Sequence, residues 1–509
     1  MASKVAATGA AVLLALTSLA SAASENITSQ TSGPSSNLKG CSTLINAGLG
    51  AQLFFPEDAE YTATLTSYYS QDVADVSPWC VFKPENVEQV AAGIKALAAD
   101  CGNGWAAAIR SGGHSPSPTA ANIAEGVTID LGNLDSIKVS NCGSNSSYVA
   151  VGTGARWSSV YAALEPLGLM SVGGRAPHVG VGGFLLGGGF SWYSGKVGLS
   201  ADNVIAYEVV LANGNIVRAS AKQNPDLFKV LKGGWNNVGL VTKFYIRTFA
   251  SHDVYGGIQA FLSDQRDVVL QKYTTMVDNM PTVKSENGFV SFSWTHGSGS
   301  TVALITANVD GEANSPSFIG LGNLTSLIDT RTTMPYTSLI NLLTSTTVEY
   351  NVWYTSSFFN TIDMGNKVLE VMDKTVAELD AQVDEAVNVI FLLTPLPKTY
   401  GDAPNNIFGL EGRTQNANVM QVEALLPSSK WEKLVSEKLG AATAEIEAYA
   451  KSSGQDVPFR YINYANQDQD PLSSYGKENV DLLRAASLKY DPSQFFQVRI
   501  PGGFKVYDI

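Results

Sequence analysis

Apolar and polar positions recur along this chain with two different periods, and the switch between them marks out its elements. Residues 105–109 (Trp-Ala-Ala-Ala-Ile) form a short apolar run of the kind a buried strand makes. Residues 85–99 instead place Val87, Val90, Ile94 and Leu97 on one stripe, which predicts an amphipathic helix. Strands are expected at 126–130 and 148–152, and a helix at 158–167. Residues 204–212 read as a strand entering an Asn213-Gly214 turn, a hairpin signal, with the return strand at 215–219. After residue 251 glycine becomes sparser and the strands longer, at 254–261, 288–294, 301–309, 388–393 and 418–426. Helical runs lie between them at 267–280 and 364–386. That order predicts an antiparallel sheet backed by helices, in a second domain of roughly 200 residues. Residues 349–359 are aromatic-rich and read as core packing, with a pocket wall as the alternative. Residues 459–464 alternate as a strand, which would put Tyr461 and Asn463 on one side and Ile462 and Tyr464 on the other. The expected fold class is α+β. A doubly wound sheet is disfavoured because the G-x-G-x-x-G spacing lacks the strand–glycine–helix order and a following acidic residue.

Composition narrows the class. The chain has 509 residues, 45% hydrophobic and 16% charged, enough for a large core and two or three domains. A net charge of -13 argues against nucleic-acid partners and anionic membrane surfaces. Residues 1–22 combine Lys4, an apolar run over 6–20 and Ala20-Ser-Ala22, the pattern of a secretory signal peptide, so secretion is expected. Residues 23–40 read as a flexible leader rich in Ser and Thr. In a secreted chain the four cysteines, Cys41, Cys80, Cys101 and Cys142, suggest disulfides, with three connectivities open. No C-x-x-C spacing or His cluster points to a metal. Asn26, Asn145 and Asn323 head glycosylation sequons.

Two stretches carry the chemistry. In Arg110-Ser-Gly-Gly-His114, directly after the 105–109 strand, Gly112 and Gly113 permit a turn closed to bulkier residues. Successive N–H groups in such a turn form a nest for phosphate oxygens, and His114, one of only four histidines, stands at its mouth. Residues 173–190 then hold Gly173, Gly174, Gly180, Gly182, Gly183, Gly187, Gly188 and Gly189 among Val179, Val181, Phe184, Leu185, Leu186 and Phe190. The segment is too apolar for a linker, and its glycines suggest an extended flat ligand against bare backbone.

Together these stretches resemble the berberine bridge enzyme-like branch of the vanillyl-alcohol-oxidase (PCMH-type FAD-binding) superfamily, most of all its fungal members. Further matches are Gly152-Thr-Gly-Ala-Arg156-Trp157, Asp202-Asn-Val204, residues 231–242 (LKGGWNNVGLVT), residues 461–467 (YINYANQ) and Pro501-Gly-Gly-Phe-Lys505. The resemblance covers nearly the whole chain after residue 40. It implies a two-part FAD-binding domain over 41–250, a substrate domain over 251–455, and a C-terminal segment, 456–509, returning to the first. It also implies disulfides Cys41–Cys80 and Cys101–Cys142.

By the same resemblance His114 is the attachment point for the flavin 8α-methyl. The FAD-contacting set is His114, Arg110, Ser111, Gly112, Gly113, Ser115, Gly174, Val179, Gly180, Gly183, Gly187, Asn203, Val241 and Asn463. Tyr461 is the candidate acid/base. Its unperturbed pKa near 10 makes it a poor base without help, and holding a strand by its hydroxyl is the alternative role. Bicovalent members carry a Cys in C-P-T-V-G-V-G-G. Here Ala176 stands there, implying one covalent link, and Phe184 replaces a common His. Val179 falls at the oxygen-gatekeeper position, where small Val accompanies oxidases. The implied activity is that of an oxidase passing hydride from an alcohol or amine C–H to flavin N5, with O2 as acceptor and H2O2 as product. The substrate expected is a compact, largely apolar metabolite, and the protein a monomer. Alternatives are an oligosaccharide oxidase, an oxidative cyclase, or a non-catalytic flavin-binding protein. The last fits poorly, because His114 and both glycine clusters are present.

Overall fold

The computed structural model describes residues 38–100, 104–140, 147–344 and 348–509. Two small sheets come first. One is four-stranded, in the order β1 (Leu53–Phe54), β2 (Cys80–Phe82), β4 (Gly126–Asp130), β3 (Ala106–Arg110), with β2, β4 and β3 parallel. The other runs β5 (Ile137–Ser140), β6 (Tyr148–Gly152), β10 (Leu240–Ala250), β8 (Val204–Val210), β9 (Ile216–Ser220), and β7 (Leu169–Ser171) pairs with the far end of β10. Helix α1 (Val87–Ala99) starts where the Asn86 side chain accepts the Gln89 amide, satisfying one orphan donor. Its buried stripe, Val90, Ile94 and Leu97, packs with Phe82, Val127 and Ile129, and also with Val210 and Leu240, so it belongs to the core shared by both sheets. A disulfide joins Cys41 to Cys80 at the start of β2.

The third sheet is antiparallel and eight-stranded. Its path is β14 (Ile328–Asp329), β11 (Val254–Leu262), β13 (Gly299–Asn308), β12 (Glu286–Thr295), β17 (Asn388–Leu396), β18 (Ala417–Leu426), β16 (Tyr350–Phe359), with β15 (Thr332–Met334) against β11. Alternation decides its two faces. Val352, Tyr354 and Phe358 of β16, Phe391 and Leu393 of β17, and Met420, Val422 and Ala424 of β18 join one hydrophobic core. The buried stripes of α2 (Arg266–Asn279), α3 (Ile362–Asp380) and α4 (Glu432–Ser452) join it from the other side. The intervening residues Trp353, Leu392, Gln421 and Glu423 face the opposite way and line a cavity. The α+β class and the helix-backed antiparallel sheet are as expected.

Several elements differ from the sequence reading. Residues 459–464 are not a strand. They form a turn in which the Tyr464 amide donates to the Tyr461 carbonyl at 2.9 Å. Residues Tyr461 to Tyr464 therefore all line the same cavity, which replaces the two-sided placement expected. The helix expected over 364–386 ends at Asp380. The 21-residue helix α4 and the 11-residue strand β10 are additional to the elements expected from the sequence. Residues 1–22, most of the leader, Asn26, Cys101, Cys142 and Asn145 lie outside the described residues. Asn323 is exposed, in a turn at Leu321–Asn323.

Candidate active site

The site begins where β3 ends. Arg110 is buried and its guanidinium is spoken for: it meets Asp130 of the neighbouring strand at 2.6 Å, donates to Ser67 Oγ at 2.6 Å and lies 4.5 Å from the Tyr68 ring centre. Arg110 therefore pins the turn from behind and does not line the cavity in front of it. Ser111 Oγ donates to the Thr153 carbonyl at 2.6 Å and accepts the Gly182 amide at 3.2 Å, which ties the two glycine stretches together. At their crossing a Cβ on Gly112 would stand 2.4 Å from Gly180 Cα. Gly113 has φ +63°, a left-handed conformation that favours glycine. No described residue accepts from the Gly112 or Gly113 amide, as a nest awaiting an anion requires.

His114 is half-buried at the cavity wall and stacks on Tyr69, ring centres 4.1 Å apart. Burial, with Arg156 and His178 adding to it, lowers its imidazolium pKa to about 4. The ring is thus neutral and nucleophilic at physiological pH. Ala176 and Phe184 also line the cavity, and Phe184 meets Trp157 edge-on at 5.3 Å.

Most glycines of the rich segment admit protein neighbours on their Cβ side, and four of the eight, Gly174, Gly180, Gly182 and Gly183, also line the cavity. Gly182 leaves room for Thr153 and Ser111, Gly173 and Gly174 press on Trp157, and Gly187 makes way for Asn463. Gly183 is different: a Cβ there meets nothing within 4 Å, and the residue opens on the cavity. Asn463 is held on three sides. It accepts from Trp235 Nε1 at 3.0 Å and donates to the Phe184 carbonyl at 3.2 Å and Tyr461 Oη at 3.0 Å. The Tyr461 hydroxyl also accepts the Gly189 amide at 3.1 Å. Burial pushes its pKa well up, so the geometry suits clamping the turn rather than moving a proton. Ser115, Gly174, Val179 and Val241 line the cavity, whereas Gly187 and Asn203 do not. The Asn203 amide caps the carbonyls of Val197 and Leu199, both at 3.0 Å.

The opposite wall comes from the eight-stranded sheet and carries groups the sequence reading missed. Glu423 of β18 accepts from Gln421 Nε2 at 2.9 Å and, more weakly, from the Tyr69 hydroxyl at 3.4 Å. Desolvation raises its carboxyl to about 7, against the opposing influence of Trp353 and Tyr69 and with Glu349 adding to the rise. Trp353 of β16 is its direct cross-strand partner. The signal was the period-2 alternation of residues 418–426, where an acidic residue occupies a non-core register position.

The cavity measures about 460 Å³, within the range of small-molecule sites. Neutral His114, the unpaired turn amides and the open Gly183 fit FAD. A family profile described as FAD binding domain matches residues 78–220. The FAD-dependent monooxygenase drtC of Aspergillus calidoustus is 33% identical over 491 residues, covering 92% of this chain and 90% of that one. The chain belongs to the berberine bridge enzyme-like FAD-linked oxidoreductases. Berberine bridge enzyme from Eschscholzia californica shares the fold at TM-score 0.72 and 17% identity, over 90% of this chain and 97% of that one. 6-Hydroxy-D-nicotine oxidase from Arthrobacter nicotinovorans does so at 0.72 and 20%, over 87% and 96%. Like its family, the chain is an FAD-binding oxidoreductase acting on small molecules.

Proposed function

We propose that this chain is a secreted oxidase with FAD attached covalently at His114 alone, acting on a compact, largely apolar alcohol or amine. The observation that carries the reading is Glu423, a carboxyl facing the cavity with its pKa raised to about 7. A general base works best with a pKa near the operating pH. Bound along the His114 turn and Gly183, FAD would supply the two-electron acceptor for the substrate hydride, with O2 as the final oxidant and H2O2 as its product. Glu423 accepts the proton of the substrate hydroxyl or amine as the adjacent C–H gives up its hydride, so the alcohol leaves as a carbonyl and the amine as an imine. Tyr69 and Gln421 orient the carboxyl. The uncharged His114 ring supports attachment to the 8α-methyl, and Ala176 offers no sulfur for a second bond. Phe184, Phe190, Phe289 and Leu392 make the cavity apolar, which favours a ring-sized substrate over a sugar chain.

A second reading is oxygen insertion, favoured by the name of the relative drtC as an FAD-dependent monooxygenase. Turnover under ¹⁸O2 with a peroxide assay separates the two. The oxidase gives one H2O2 per O2 consumed and no label in product. Labelled product with little peroxide would replace this reading with the monooxygenase.

A further inference from the structure

Among the described residues Arg175 has no counter-ion. It lies on the loop that Gly173 and Gly174 press against Trp157, and it lines the same cavity as Glu423. Its Nη2 donates to the Tyr464 hydroxyl at 3.0 Å and, weakly, to Thr394 Oγ1 at 3.4 Å. Its Nη1 is shut off from solvent and has no hydrogen-bond partner among the described residues. No described carboxylate forms a salt bridge with it, and Glu423 is engaged by Gln421 and Tyr69 instead. Aromatic rings surround the guanidinium: Phe289 at 4.6 Å, and Phe190 and Trp192 at 6.0 Å.

Arginines with structural roles show what compensation looks like here: buried Arg110 has Asp130 at 2.6 Å, partly buried Arg460 is held by both oxygens of Glu447, and Arg413 donates to the carbonyls of Leu396 and Pro397. A cation enclosed among rings with two neutral hydroxyls is poorly compensated unless something anionic arrives. Arginine also presents a planar fork that suits a delocalised oxyanion, and its plane stacks on aromatic faces.

We propose that Arg175 is a specificity residue that binds an acidic oxygen of the substrate, a carboxylate or phenolate on an otherwise apolar aromatic molecule. Phe190 and Phe289 wall the ring while the Arg175 guanidinium takes the oxyanion. The inference rests on reading this cavity as the substrate site of the proposed oxidase. It requires no turnover, so its failure and the failure of that reading are distinguishable.

The test is equilibrium binding to the flavin-loaded holoenzyme, followed by perturbation of flavin absorbance and by tryptophan fluorescence. Two matched probe pairs are used: benzoate with methyl benzoate, and 4-nitrophenolate with 4-nitroanisole. The wild type is expected to favour at least one acid over its neutral partner by roughly ten-fold or more, the scale of one charge-assisted hydrogen bond. The pair that shows the preference identifies the oxygen. Arg175→Met should abolish the preference. Arg175→Gln, which keeps a donor for Tyr464, provides the same test if the Met variant loads flavin poorly. Equal binding within both pairs by the wild type, or a preference surviving in either variant, overturns the proposal.

Discussion

Replacing Glu423 with Gln removes the one group that the proposed chemistry asks to carry a proton, while keeping its shape and its contact with Gln421. Burial raises the carboxyl from 4.5 to about 7, which corresponds to on the order of 3 kcal/mol in favour of the protonated form. Two consequences follow with opposite pH signs. Catalysis needs the ionised form, so flavin reduction should rise about ten-fold per pH unit below 7 and level off above it. Stability behaves the other way. The native carboxyl keeps its proton between 4.5 and about 7, where the unfolded chain releases it. The stabilisation is fully present below 4.5 and is lost as pH rises through about 7. Glu423→Gln should therefore gain stability relative to wild type above pH 7, by up to about 3 kcal/mol, and show little difference near pH 4. Anaerobic stopped-flow measurement of flavin reduction from pH 5 to 9, with thermal melts across pH 4 to 8, reads both effects. The variant should reduce flavin about 10²- to 10⁴-fold more slowly, with a flat profile. Wild-type reduction rates in Glu423→Gln, or an unchanged pH profile, would sink the assignment of Glu423 as base.

The remaining predictions are shorter. His114→Ala should release its flavin on acid denaturation while wild type keeps it, and Ala176→Cys should add a second bond; fluorescence on a denaturing gel reads all three. Gly112→Ala would drive a Cβ to 2.4 Å from Gly180 Cα, so it should melt earlier by roughly 1–3 kcal/mol of lost stability and load less flavin. Aromatic alcohols should show a higher kcat/KM than cello- or chito-oligosaccharides; the reverse order would make this a carbohydrate oxidase. Secreted material should begin after residue 22, and non-reducing peptide mapping should find Cys101 joined to Cys142; an intact N-terminus or free thiols would contradict the expected compartment.

What the sequence determined by itself was whatever a short window can encode. The Asn213-Gly214 pair specifies its own turn, and β8 and β9 pair across it. The stripe of α1 announces its buried face, and the longer alternating runs announce five strands of the large sheet. Arg110 to His114 form a turn because Gly113 adopts a left-handed φ. Tertiary structure decided what filled the space beside these elements. Residues 459–464 have a strand's alternation yet turn, because the Tyr461 and Asn463 side chains fold against the backbone and vacated side-chain volume of Gly187 and Gly189, more than 270 residues away in sequence. Most of the glycines of 173–190 admit Trp157, Asn463 and the Ser111 turn, while Gly174, Gly180, Gly182 and Gly183 also line the cavity, and a glycine's sequence context does not say which neighbour will use its missing Cβ. Glu423 and Arg175 were invisible for the same reason. Alternation says that a residue leaves the helix-backed core, but only the packing of the large sheet over the flavin-binding sheets turns that exit into an enclosed cavity. Enclosure there raises the carboxyl's pKa and leaves the guanidinium without a counter-ion among the described residues.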